Sequence, residues 1–268
     1  MPEGDTIWRT ARTLHAALAG RTVLGLESSL PAVVAATEHL RVIGQTVEAV
    51  EARGKHLLVR FAGGAVLHTH LGMRGSWRLL RGAGARRPSP FPARAVIETA
   101  GAVAVCSLAP VVEMLSAAQA AAHPALGRLG PDLLAPGFDP AAAGQRLRAR
   151  GEAPIGVALL DQTALAGIGN VYKSEVLFLC GVSPFTRVRL LDDGTLGRLV
   201  EKARELLRRN LGPGMRRTTS PLAAGRLWVY GRKGQPCRKC GTAIERAVQG
   251  EEARSTYFCP SCQGRPGG

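Results

Sequence analysis

The sequence predicts an α+β multidomain chain: an N-terminal antiparallel β-sandwich with a leading helix, a helical middle and a small cysteine-rich end. Three observations carry that expectation. Short alternating or β-branched runs separated by glycine turns fill the chain to about residue 118, and helical spacing takes over beyond a stretch crowded with Pro and Gly. Two C-x2-C pairs then close the chain, and 268 residues leave room for two domains and an appendage.

In the first part, residues 1–118, Ile7, Ala11, Leu14 and Leu18 recur at helical spacing, with Asp5 or Thr6 as cap and Gly20 as terminator. TVEAVEA, HLLVRF, AVLHTH, SWRLL and VAVCSL read as strands that build the sandwich. GRLGPDLLAPGFDP, residues 127–140, marks a hinge or boundary. Beyond it PAAAGQRLRAR, PIGVALLDQ, VYKSEVLFLCG and DGTLGRLVEKARELLRRN carry helical spacing, so residues 127–225 are expected to form a helical domain.

Lys and Arg number 35 against 20 Asp and Glu, a formal charge of +15, which points to a polyanionic partner and first of all to nucleic acid. Residues 187–254 hold 16 basic and 7 acidic side chains against 13 and 8 in residues 1–120, so the C-terminal part is the expected grip on phosphate backbone. No run of about 18 uncharged apolar residues occurs, and the N-terminus lacks a secretory pattern. A soluble cytoplasmic protein with no membrane partner is expected. Nothing calls for an oligomer, so a monomer is expected too.

Residues 237–262, CRKCGTAIERAVQGEEARSTYFCPSC, place Cys237, Cys240, Cys259 and Cys262 as two close pairs 18 residues apart. Such pairs hold four thiolates tetrahedrally around one structural Zn(II), which predicts a zinc ribbon over residues 229–263. Disulfides are the alternative that a reducing cytoplasm disfavours. So few apolar residues would not fold without the metal, and a closed thiolate shell leaves it no catalytic role. The ribbon's hairpin can present Arg254 to DNA. In the middle, AGIGN precedes a helix starting near Asn170 or Val171; its glycines permit close backbone approach, and Asn170 offers a helix cap and an amide to phosphate.

The motifs MPEGDT, ARGKHLL, HLGMRGSW, HPALGRLGPD, LDQTALAGIGNVYKSEVLF and RSTYFCPSCQ occur in that order across essentially the whole chain. Together they resemble the Fpg/Nei family of bifunctional DNA glycosylases. The resemblance implies a β-sandwich, a helix-two-turn-helix domain and a zinc ribbon acting on damaged DNA. It also implies roles: Pro2, exposed once Met1 is removed, as the nucleophile; Glu3 as a proton donor; Lys55 in β-elimination; Arg254 in δ-elimination and phosphate contact. Arg128 and Asn170 align with grips on the phosphates flanking the extruded nucleotide. Met73 aligns with the wedge that fills its gap, the alternative being a buried sandwich methionine.

The chemistry accounts for these residue types. An α-amino group has an ordinary pKa of about 7.7 to 8.0 against about 10.4 for lysine, so more of it is unprotonated at neutral pH. Attack by the secondary amine of Pro2 on the sugar's anomeric carbon gives an iminium, an electron sink that acidifies the neighbouring sugar proton for elimination. Within the family, CSLAPVVEML replaces the D-x-R-R-F-like loop of the 8-oxoguanine branch and is similar to the endonuclease VIII branch, whereas LGMR, with Gly72, replaces that branch's N-Q-L-Y-like wedge. The leading expectation is therefore removal of oxidised bases, pyrimidines in preference. An 8-oxoguanine-preferring glycosylase and a non-catalytic zinc-ribbon binder of damaged nucleic acid are the alternatives.

Overall fold

The computed structural model describes residues 2–81 and 93–264. The chain divides into two compact units, Met1–Arg128 and Leu129–Gly268. The first is built from two antiparallel four-stranded sheets. One runs β1 (Val23–Glu27), β6 (Ala93–Thr99), β7 (Ala102–Ser107), β5 (Ser76–Arg81); the other runs β2 (Val47–Arg53), β3 (His56–Phe61), β4 (Val66–His70), β8 (Val111–Leu115). Alternation sends Val23, Ala95, Ile97, Ala104 and Cys106 from the first sheet, and Val47, Leu57, Val59, Phe61 and Leu67 from the second, into a single buried core.

Helix α1 (Gly4–Leu18) lays Ile7, Ala11, Leu14 and Leu18 on that core as the spacing predicts, but it starts earlier than expected. Its cap position is Glu3, whose carbonyl accepts from Thr6 N at 2.9 Å and Ile7 N at 3.0 Å; Asp5 and Thr6 already lie inside the helix. The backbone of Glu3, not a side chain, closes the first turn. Helix α2 (Pro31–His39), with Pro31 in its first turn, was not legible as a helix. The short helices α3 (Ala117–Ala121) and α4 (Pro124–Gly127) end the unit, α3 with a Ser116/Gln119 capping box and α4 capped by His123.

The second unit packs α5 (Pro140–Arg148), α6 (Ile155–Ala158), α7 (Asn170–Cys180) and α8 (Asp193–Arg209) around Leu147, Leu165, Tyr172, Leu177, Leu199 and Leu206. PIGVALLDQ yields only the single turn α6, because Asp161 and Gln162 turn the chain into the AGIGN loop. The hairpin β9 (Glu245–Gln249) and β10 (Arg254–Phe258), followed by α9 (Pro260–Gln263), shares a second small core with α7: Phe178, Val229, Ile244, Phe258 and Cys259. No helix among the described residues is long and apolar enough to cross a membrane.

Gly130, between α4 and α5, packs against residues 162–164, which lead into the AGIGN loop. It donates to Gln162 O at 2.9 Å, and a Cβ there would lie 2.6 Å from Ala164 O and 2.7 Å from Thr163 O. Both obstacles are backbone and cannot rotate away. Gly130→Ala is therefore expected to destabilise the unit by about 1–3 kcal/mol, read as a lower urea midpoint at unchanged slope.

Candidate functional site

In the first unit the N-terminus and two turns gather at one end. Val50 N donates to His15 Nδ1 at 3.1 Å and Gly20 N to Val47 O at 2.8 Å, so α1 runs antiparallel to β2. From His15 back to Glu3 the helix covers about 18 Å, and from Val50 forward to Lys55 the strand covers about 16 Å. Glu3 and Lys55 thus reach the same level. Glu3 is fully buried and Pro2 half-buried beside it.

Lys55 sits in the two-residue turn between β2 and β3, and the register His56↔His70 brings the following turn, Leu71–Gly75, to the same end. Met73 projects from that turn at 69% exposure, so it is no part of the sandwich core. Gly72 is left-handed at φ +57°, and a Cβ on it would lie 2.8 Å from Pro110 Cγ. A glutamine side chain at this position would meet both obstacles. Arg128 is the exposed C-cap of α4, its Nε donating to Pro124 O at 3.1 Å.

In the second unit Asn170 and Arg254 are drawn together through a fully buried lysine. Lys173, one turn into α7, donates to Ser255 O at 3.0 Å and Thr256 Oγ1 at 2.7 Å, and Thr256 in turn donates to Gln249 Oε1 at 2.7 Å. The first turn of α7 is thereby fastened to the strand that begins with Arg254. Arg254 itself pairs with Glu252, Nε to Oε2 at 2.7 Å. Asn170 is the first helical residue rather than the cap, which is Gly169. Its Oδ1 is buried with no protein partner among the described residues, so that oxygen is not spent on the helix end.

A cavity of about 360 Å³ beside Val171 is lined by Arg216, Arg226, Arg232, Arg238 and Tyr230, and among the described residues no carboxylate lines it. Burial and the neighbouring Arg238 lower the pKa of Arg232. An anion would relieve this crowding of like charge. The segment that carries Tyr230 is held by Glu175, a fully buried carboxyl on α7, which accepts from Thr218 Oγ1 and from the backbone N–H groups of Trp228, Val229 and Tyr230 at 2.8, 2.9 and 2.8 Å.

The four cysteines converge. Cys240 Sγ lies 3.5 Å from Cys259 Sγ and 3.5 Å from Cys262 Sγ, and Cys237 Sγ lies 3.9 Å from Cys262 Sγ. Zn–S bonds of about 2.3 Å in a tetrahedron require sulfurs about 3.8 Å apart, so the residues fit the ion. Lys239 N points at Cys237 Sγ and Cys262 N at Cys259 Sγ, bonds that suit thiolates. Without a cation, burial and three adjacent sulfurs push Cys262 up to about 12, whereas hydrogen bonds from Thr242 hold Cys240 down to about 6. One structural zinc ion resolves that conflict by holding all four as thiolates.

Residues 1–106 match the formamidopyrimidine-DNA glycosylase N-terminal domain, residues 129–220 its H2TH domain, and residues 234–264 the zinc finger found in FPG and IleRS. The probable endonuclease 8 2 of Streptomyces coelicolor is 46% identical over 277 residues, covering 100% of this chain and 97% of that protein. The chain belongs to the formamidopyrimidine-DNA glycosylase and endonuclease 8 family. Within it, the DNA-(apurinic or apyrimidinic site) lyase Nei2 of Mycolicibacterium smegmatis is 42% identical, covering 98% of this chain and 99% of that one. Lactococcus lactis formamidopyrimidine-DNA glycosylase, solved non-covalently bound to DNA containing an AP site, superposes with a TM-score of 0.81 at 26% identity, covering 98% and 100% of the two chains.

Sequence reasoning assigned no part to Lys173 and Glu175, the two buried charges that fasten the ribbon strand and the Trp228–Tyr230 segment to α7. The signal was there: in VYKSEVLFL two charges interrupt an otherwise apolar helix, and buried charges are rare without partners.

Proposed function

We propose that this chain is a base-excision glycosylase and abasic-site lyase that removes oxidised bases from DNA, pyrimidines in preference, and nicks the strand by β,δ-elimination through an imine at Pro2. Full-length relatives named endonuclease 8 and abasic-site lyase carry this reading. The Pro2 amine attacks the anomeric carbon, the bond to the damaged base breaks and the base leaves; the ring-opened iminium then takes up the electrons of the adjacent sugar C–H bond as its proton is removed, and the 3′-phosphate is expelled. Glu3 protonates the sugar as its ring opens; its burial at the head of α1 keeps water from that proton. Lys55 assists β-elimination, and Arg254 assists δ-elimination once it exchanges Glu252 for a phosphate.

Arg128, Asn170 and Arg254 grip the backbone, supported by the arginine-lined cavity, and exposed Met73 fills the gap left by the extruded nucleotide. A catalytic sandwich (1–118), a helix-two-turn-helix domain (127–225) and a zinc ribbon (229–263) divide this work in a cytoplasmic monomer. Met1, whose removal frees the Pro2 nitrogen, lies outside the described residues.

Borohydride trapping on DNA with an abasic site tests the reading. Wild type is expected to form a covalent adduct and Pro2→Gly to fall to background; trapping by Pro2→Gly at wild-type efficiency would discard the imine. Duplexes and single strands bearing thymine glycol, dihydrouracil or 8-oxoguanine then rank the lesions, and fastest incision of 8-oxoguanine would reverse the pyrimidine preference.

A further inference from the structure

The face of the second sheet turned away from Leu57, Val59 and Leu67 carries a cluster that the chemistry above leaves idle. His56 opposes His70 across β3 and β4, and His68 opposes Glu113 across β4 and β8. Fully buried His68 is bonded at both ring nitrogens: Nε2 lies 2.8 Å from His56 Nδ1 and Nδ1 lies 2.8 Å from Glu113 Oε2. His123 Nε2 reaches the same carboxylate oxygen at 3.1 Å.

The donors assign every proton. Leu126 N–H points at His123 Nδ1 at 3.4 Å, so that ring carries its proton on Nε2 and donates to Glu113. Glu113 accepts from His68 Nδ1 as well, which leaves His68 Nε2 bare to accept from His56 Nδ1. Three neutral rings and one carboxylate satisfy the whole chain. Burial, reinforced by His70, holds His56 down to about 3; burial also lowers His68 and His70, with the nearby Lys55 ammonium adding to the effect on His70. Lowered pKa values at His56 and His68 favour the neutral rings that this polarity needs at those two positions.

His68, Glu113 and His123 also place their ligand atoms within 4.8 Å of one another. A cation there would need His123 Nε2 bare and its proton on Nδ1, against the Leu126 N–H. The hydrogen bonds account for the arrangement without one.

We propose that His56, His68, Glu113 and His123 are positioning residues that hold the Lys55 turn and the Arg128 end of α4 on one frame, and so set the Lys55 amine for elimination. This rests on the function proposed above. The first anchored side chain after the Gly54–Lys55 turn is His56, and where it is held determines where the turn sits. At the other end His123 fixes α4, which ends at Arg128. One continuous hydrogen-bonded chain runs from His56, which follows Lys55, to His123, which caps the helix ending at Arg128.

The test uses the full chain, enzyme in excess, on abasic-site DNA. Glu113 is 42% exposed at its side chain, so Glu113→Leu breaks the chain at a position the core does not need. Strand cleavage is expected to slow roughly 10- to 100-fold, as displaced catalytic groups do, with imine trapping near wild type and DNA affinity weakened as the Arg128 end of α4 is loosened. His123→Ala, at the far end of the chain, gives the same split. Glu113→Gln keeps an oxygen that can accept both N–H groups and restores most of the rate. In a Lys55→Ala background Glu113→Leu adds no further loss. Equal losses in both backgrounds, unchanged cleavage in Glu113→Leu, or a second metal equivalent that this variant loses, would each overturn the proposal. Wild-type protein that neither traps nor cleaves the DNA would sink the proposed function instead.

Discussion

Removing zinc is expected to abolish specific DNA binding while the helical core of the second unit stays folded. Zinc held by such ligands is worth about 10–16 kcal/mol in isolated fingers at neutral pH, far more than the ribbon's own apolar residues supply. Its small core is Val229, Ile244, Phe258 and two of the cysteines, closed against Phe178 of α7. Without the ion the four thiols lose their common partner, the hairpin opens, and Arg254 no longer begins an ordered strand. The helical core of Leu147, Tyr172, Leu177, Leu199 and Leu206 is a separate cluster and is expected to remain. Chelation, or Cys259→Ser, should therefore erase the near-ultraviolet signal of Trp228, Tyr230 and Tyr257 and leave most helical ellipticity. Binding to abasic-site DNA, followed by anisotropy, should fall to the non-specific level. Binding retained after zinc removal has been verified by metal analysis would refute the ribbon's part in it.

The features legible in the sequence are those set by neighbours in the chain. Five strand runs were recognisable because alternation is local, and the cysteine pairs because knuckle geometry fixes their spacing. Asn170 looks like a cap for the same local reason, yet Gly169 takes that place because its extended backbone already turns the chain into the helix. Lys173 and Glu175 could not be assigned partners: Thr256 lies 83 residues from Lys173, and Thr218 lies 43 from Glu175. Histidines 68 and 70 share a face by period-two spacing, but their joining to Glu113 and His123 depends on which strand lies next to β4. Gly72 was recognisable as a departure from the family wedge, and only the approach of Pro110 explains it.

Glu175→Gln is expected to cost about 2–4 kcal/mol despite changing a single atom, because it breaks a buried charged hydrogen-bond set. The carboxyl accepts four donors, two on each oxygen: Thr218 Oγ1 and Trp228 N on Oε2, Val229 N and Tyr230 N on Oε1. Burial drives its pKa up, while those same four donors pull it back and favour the acceptor-only form. Glutamine replaces one oxygen with a donor, so whichever way the amide turns, at least one backbone N–H, of Trp228 or of Val229 and Tyr230, faces another N–H. The residues that suffer are 218 and 228–230, which bring Tyr230 and Arg232 to the arginine-lined cavity. A loss of that size lowers the melting temperature by roughly 4–16 °C for a unit of this length, at about 2–4 °C per kcal/mol. Trp228, bonded through N to Glu175 and through Nε1 to Thr218 O at 3.1 Å, reports the change by fluorescence. Thr218→Val removes one of the four donors and is expected to cost only about 1 kcal/mol. Should both variants melt with wild type and bind abasic-site DNA equally well, Glu175 would not be what holds this segment to α7.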